Sequence, residues 1–180
     1  MLLENDRQMN KAPTTAWMAR YHEKALRPDE LPQKVSELKA AGKTIATLNG
    51  SFDLLHAGHL HIIFEAAQQA DVLIVALNSD ASIRQYKSKD RPIIPLASRL
   101  QMMAAIECVD YVTWFEETDP RPLLNIIKPD VHVNGSEYGQ NCIEADTVKS
   151  HGGHIHIVSL VPNLSTSQII KKIASLPKES

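Results

Sequence analysis

Residues 44–78 read TIATLNGSFDLLHAGHLHIIFEAAQQADVLIVALN. Two short apolar runs, 44–49 and 71–78, bracket a segment near 59–69 whose apolar residues recur at helical spacing. Neither run alternates strictly with polar residues, as expected of strands covered on both faces. A strand, a helix and a second such strand make a parallel βαβ unit.

The alternation continues outward. "DYVTWF" (110–115), "DVHVNG" (130–135) and "HIHIVSL" (154–160) are further short apolar runs. Amphipathic segments lie near 81–88, 96–107, 120–127, 142–151 and 166–175. The pattern predicts an α/β fold: a Rossmann-like, open, doubly wound parallel sheet of about five strands in a single domain. Such sheets bind ligands beyond the carboxyl ends of their strands, which directs attention to the loops after Asn49, Asn78, Phe115, Gly135 and Leu160.

Ahead of this region, residues 1–42 read as an N-terminal extension, polar to Pro28 and partly helical around Trp17 to Leu26. A helix is expected near 29–41, with Leu31, Val35 and Leu38 on one face and Gly42 as its stop. The main domain is expected over 43–176. At 180 residues, 43% hydrophobic and 22% charged, the chain has the composition of a globular protein with a sizeable core. A net charge of -2 gives no reason to propose a nucleic-acid or membrane surface. No apolar run approaches the ~20 residues that span a bilayer, and the first residues lack the build of a secretion signal. Cys108 and Cys142 form no CxxC, so reduced thiols and a cytoplasmic location are expected.

The loop after the first strand holds most of the recognisable chemistry. No GxxxxGK[ST] occurs, which excludes a P-loop, and no GxGxxG follows the first strand. The loop carries Gly50, Ser51, Phe52, Asp53, His56, Gly58 and His59. Gly50 permits close approach of backbone to a ligand, and Gly58 leaves room against the start of a helix. That helix start directs free N–H groups and partial positive charge into the space, and histidines three apart share a surface. Asp53 is read as holding the loop through backbone hydrogen bonds. By spacing alone the two histidines are open to three readings: phosphate binding, a structural role in a βα loop, or metal binding. The last lacks HExxH and any cysteine or acidic cluster to complete a ligand set.

"NGSFDLLHAGHL" (49–60) resembles the GxFDxxHxGH signature of the cytidylyltransferase-like nucleotidylyltransferase superfamily. "ALNSDASIRQYKSKDRPIIPLASRLQMMAAIECVDYVTWFEETDP", "IIKPDVHVNGSEY" and "LSTSQIIKKI" are similar to stretches of D-glycero-β-D-manno-heptose 1-phosphate adenylyltransferases. The resemblance covers about residues 30 to 175. It implies that Asn49, Gly50, Ser51, Phe52 and Gly58 line the nucleotide, and that His56 and His59 bind the triphosphate and act in catalysis with Lys87. Arg91 would approach phosphates from the loop after the second strand. Ser165, Thr166 and Ser167 would offer hydroxyls and N–H groups, in keeping with Ser and Thr as ordinary helix caps. Asp53, Asn134, Gly135 and Glu137 would lie toward the acceptor. Arg99 has two readings, a helix residue paired with an acid or a phosphate contact. Lys89, His151, His154 and His156 are assigned no chemistry.

The implied reaction is attack by a sugar 1-phosphate, D-glycero-β-D-manno-heptose 1-phosphate, on the α-phosphorus of ATP. It releases pyrophosphate and yields an ADP-sugar for lipopolysaccharide or surface-glycan synthesis. Mg2+ would accompany the ATP, held by phosphate oxygens and water, so no dedicated protein metal site is expected. Alternatives are a CTP-dependent cytidylyltransferase acting on glycerol 3-phosphate or a similar small phosphate, and a non-catalytic nucleotide-binding relative. Related enzymes often form homodimers, which makes a homodimer an expectation by resemblance. The chain departs from the heptose pattern at Ser51 (usually Cys), Ala70 and Asn163 (usually Gly), and within "VNGSEY", where Asn134 stands for a usual Lys.

Overall fold

The computed structural model describes residues 16–162 and 164–177. The first fifteen residues of the expected extension and the departure at Asn163 lie outside the described residues. Helices α1 (Ala16–Lys24) and α2 (Leu31–Ala40) lead into strand β1 (Ile45–Gly50). Then follow α3 (Ala57–Ala67), β2 (Val72–Asn78), α4 (Asp80–Tyr86), α5 (Leu96–Ala104) and β3 (Tyr111–Phe115). The chain ends with α6 (Arg121–Ile127), β4 (Val131–Gly135), α7 (Ala145–Ser150), β5 (His154–Val158) and α8 (Thr166–Ala174).

The five strands form one parallel sheet in the order β3-β2-β1-β4-β5. Apolar residues on both faces of each strand account for its double cover. Ala46 and Leu48 of β1 and Leu73, Val75 and Leu77 of β2 face a core built with α3, α5 and Tyr21 of α1. Ile45, Val72, Ile74 and Ala76 face the opposite core, with Leu31 and Val35 of α2 and Leu123 and Ile127 of α6. A third cluster joins Leu124 to Ala145, Val148 and Ile155. The α/β architecture expected from the sequence is therefore the one observed.

Several boundaries differ from expectation: α3 begins and ends two residues early, and three further differences have a visible cause. Helix α5 stops at Ala104 rather than 107, and Ile106 and Cys108 turn in to pack on the core. Helix α7 begins at Ala145, because the residues before it form turns and its first hydrogen bond runs from Val148 N to Glu144 O at 3.0 Å. Strand β5 ends at Val158, whose carbonyl accepts from Ser136 N at 2.9 Å. Gly42 stops α2 as expected, with φ +71 in the left-handed region that glycine enters freely.

Residues 16–42 lie on the sheet. Tyr21 is 2% exposed within the first core, and Leu31 and Val35 are buried in the second. Leu26 N donates to Val112 O at 2.8 Å, so the chain between α1 and α2 covers part of the β3 edge. Both cysteines are free thiols. Among the described residues no helix is long and apolar enough to cross a membrane.

The order 3-2-1-4-5 places β1 beside both β2 and β4, and the direction of winding reverses between β1 and β4. A crevice opens at such a switch point beyond the carboxyl ends of the strands.

Candidate active site

That crevice is a cavity of about 290 Å³, and β1 supplies its floor through Leu48, Asn49 and Gly50. The chain then turns sharply at Phe52, whose φ of +43 is unusual for a side-chain-bearing residue. A left-handed residue costs roughly 1–2 kcal/mol, and burial of the phenyl ring, 5% exposed in the core, offsets it. A Cβ at Gly50 would come within 3.1 Å of that ring, so glycine lets the ring fold back under the strand end.

His56 precedes α3 in extended conformation, and its carbonyl accepts from His59 N at 2.9 Å. One helical turn separates the two imidazoles, which stack with centroids 3.9 Å apart and planes 23° from parallel. Gly58 is needed here because a Cβ would stand 3.0 Å from the His56 ring. The Nδ1 atoms of both rings are buried and hydrogen-bond to no described residue. Burial pushes the His59 pKa down to about 4, reinforced by His56 and Lys87 and opposed by Asp53. Burial lowers His56 as well. Both rings are therefore neutral near pH 7 and offer free nitrogens at a helix N-terminus, an arrangement ready for an anion.

Lys87 reaches into the cavity from the end of α4, and its Nζ donates to Ser51 Oγ at 3.1 Å. Burial and neighbouring Arg91 lower its pKa, with Asp53 opposing them. Across the cavity, Ser165 caps α8 by accepting from Gln168 N at 3.2 Å. Thr166 Oγ1 donates to Leu54 O at 3.4 Å, tying α8 to the loop that carries the histidines, and Ser167 completes this wall. The end of β4 contributes Asn134 and Gly135, then Glu137. A Cβ on Gly135 would collide with the Glu137 carboxylate, which folds back over the strand end.

Two expected residues stay outside the cavity lining. Asp53 was expected toward the acceptor, but it is 1% exposed and accepts from Arg91 Nε at 2.6 Å, Ile93 N at 2.9 Å and Ile94 N at 2.8 Å. Burial alone would raise its pKa; these donors outweigh it and hold the carboxyl below its usual value. Its oxygens are taken, so it holds the loop, though through a segment 38 to 41 residues away rather than an Asx turn. Arg91 is correspondingly engaged, and its Nη2 is buried with no partner among the described residues. For Arg99 the acidic pairing is the reading that fits: it is 1% exposed and donates to Asp80 Oδ1 at 2.7 Å.

Tyr138 lines the cavity and was not anticipated. It is 63% exposed, and burial of its hydroxyl end together with Glu137 and Glu144 raises its pKa. Its only sequence signal is an aromatic residue in the loop after β4. The apolar lining from Ile62, Leu160 and Leu164 was equally unmarked.

A cavity lined by two stacked histidines, a lysine and a helix N-terminus, at the switch point of a parallel sheet, fits an α/β domain of the phosphate-binding class. Residues 47–173 match the Cytidylyltransferase-like family, and the chain belongs to that family of nucleotidyltransferases. It is 38% identical over 150 residues to the bifunctional protein HldE of Hahella chejuensis, covering 83% of this chain and 31% of that one. It is 42% identical over 146 residues to the HldE of Geobacter metallireducens, covering 81% and 30%. The chain thus spans about a third of the length of the curated relatives it matches. A solved structure, the lipopolysaccharide core biosynthesis protein from Thermoplasma volcanium, is similar with a TM-score of 0.55 and 28% identity. That similarity covers 67% of this chain and 98% of the other.

Proposed function

We propose that the protein transfers AMP from ATP to a sugar 1-phosphate, D-glycero-β-D-manno-heptose 1-phosphate, with release of pyrophosphate. The observation that carries this reading is the stacked pair His56 and His59 opposite Lys87, in one cavity with the α8 N-terminus. Similarity to HldE and to a lipopolysaccharide core biosynthesis protein supports the choice of acceptor.

A phosphate monoester is already nucleophilic, so the chain need supply no attacking group. Its work is positioning and charge stabilisation. His56 and His59 direct ring N–H groups at the triphosphate, whose negative charge draws a proton onto the imidazole pair. Lys87 leaves Ser51 for the phosphate oxygens, while Ser165 to Ser167 and the free N–H groups of α8 hold the nucleotide's far side. The β4 end, with Asn134, Glu137 and Tyr138, faces the acceptor. When bound with the triphosphate, magnesium would supply charge neutralisation on the phosphate oxygens. Glu137 is the one carboxylate among the described lining residues, which suits a metal held mainly by phosphate and water.

The test is pyrophosphate release with ATP or CTP across a panel of sugar 1-phosphates, glycerol 3-phosphate and phosphoethanolamine. Release with ATP and the heptose phosphate is expected. Release only with CTP and a small polyol phosphate would replace this reading. Nucleotide binding without release for any acceptor would make the protein a non-catalytic relative.

A further inference from the structure

Arg99, on the second turn of α5, has a side chain with no exposed surface, although a guanidinium is costly to bury without partners. It meets that cost with four hydrogen bonds to three separate segments. Nη1 donates to Ser51 O at 2.6 Å in the loop after β1. Nη2 donates to Asn78 O at 3.0 Å, at the end of β2, and to Asp80 Oδ1 at 2.7 Å, in the first turn of α4. Nε donates to Ile94 O at 2.9 Å in the approach to α5.

These are the segments that deliver the cavity's groups. Ser51 forms its wall, and α4, which starts at Asp80, ends at the point where Lys87 departs. Both partners of the Lys87–Ser51 hydrogen bond are therefore referred to one buried guanidinium. Asp80 also accepts from Leu96 N at 3.0 Å, and Asp53 takes Ile93 N and Ile94 N, so the 91–96 segment is strapped from two sides. Lysine could not replace this group, because its donors radiate from a single nitrogen, whereas the guanidinium fork points in three directions.

We propose that Arg99 is a positioning residue for nucleotide binding, holding the Ser51 carbonyl in register with the end of β2 and so setting the gap between Ser51 and Lys87. It touches no ligand itself. The inference rests on the reading of the cavity as a nucleotidyl-transfer site.

The experiment is calorimetric binding of ATP to Arg99→Lys, together with initial rates and thermal melts. The variant keeps the positive charge and most of the side-chain volume, so a cooperative melt is expected. ATP Kd should weaken about tenfold, a cost in the range of a small misplacement, while acceptor KM stays within about twofold. In a Lys87→Ala background the same substitution should weaken ATP binding much less, because the gap it widens no longer matters. A loss that is equal for ATP and acceptor, or that multiplies fully with Lys87→Ala, would overturn the proposal. So would an unchanged ATP Kd. If Arg99→Lys does not fold, Asp80→Asn reads the strap from its other end, whose side chain is 28% exposed. It should weaken ATP binding about threefold with the acceptor unaffected, and no change there also overturns the proposal. Pyrophosphate release by the unsubstituted protein is scored separately. Its absence would sink the proposed reaction while the ATP Kd still decides the role of Arg99.

Discussion

The two walls of the cavity are built in opposite ways. On the β1–β2 side, buried charge welds the loops together: Asp53 and Arg99 are each 1% exposed and between them make seven hydrogen bonds. On the β4 side, Asn134 donates to Glu144 Oε2 at a long 3.5 Å, and Glu137 and Tyr138 are exposed. The difference teaches how one fold can keep its chemistry and change its substrate. Donors aimed at a reacting phosphate must be fixed before the reaction. In the proposed reaction the β4 side meets the acceptor, and such a surface is free to vary where a rigid scaffold elsewhere carries the chemistry.

Breaking the welded wall should have the largest effect. Asp53→Asn leaves the Arg91 guanidinium, 12% exposed, without its counter-charge. Removing one partner of a buried pair costs about 3 kcal/mol or more. Urea denaturation should show that loss, whereas an acceptor-contacting Asp53 would show a raised acceptor KM and unchanged stability. Next in size are His56→Ala and His59→Ala, each expected to lower kcat by ~10²-fold or more with the fold intact by circular dichroism. Near-normal turnover in both would remove the histidines from the mechanism.

The same contrast explains what could be read in the sequence. Strands β1 to β4 fall within a residue of their expected bounds, because apolar runs between turn residues are a local signal. The histidine pair was equally legible, since its spacing, the intervening glycine and the helix start lie in four consecutive residues. The straps were not. Arg99 meets Ser51 across 48 positions and Asp53 meets Arg91 across 38, so neither pairing leaves a periodic trace. Residues 16–42 make the same point: spacing marked α2 as amphipathic, but nothing local marked Tyr21 or the Leu26–Val112 hydrogen bond as part of the core and sheet edge.

A smaller effect concerns pH. Burial holds His59 and, within the sheet, His132 at about 4, against 6.5 for an ordinary histidine. The unfolded chain therefore takes up protons that the folded one refuses, and stability falls as pH drops from about 6.5 toward 4. Under the proposed reaction, ATP acts in the other direction at His59. Its phosphates favour the imidazolium, so binding should draw in a proton and tighten as pH falls from about 7 to 5. Rings 3.9 Å apart repel when both are charged, and Lys87 opposes a second charge while Asp53 favours the first. Uptake near one proton is expected from calorimetry in buffers of different ionisation enthalpy. The double substitution His56→Gln, His59→Gln should abolish it and His132→Gln should not, because His132 faces Thr47 Oγ1 at 2.8 Å, outside the cavity lining.

The smallest effects are expected on the open wall. Among the described lining residues, those from β4 and the loop that follows it include no cation. Asn134→Lys introduces one at a strand end, beside the buried Glu144 carboxylate that Asn134 now contacts. The ammonium can reach that carboxylate, so stability should hold within about 1 kcal/mol. ATP Kd should also hold, since the welded wall is untouched. Acceptor KM alone should move, falling several-fold, by about 1 kcal/mol, if the acceptor's phosphate lies within reach of position 134. Initial rates at saturating ATP read this directly. A shift in ATP Kd of the same size would erase the division between the two walls, because a change at β4 would then be felt where the nucleotide binds.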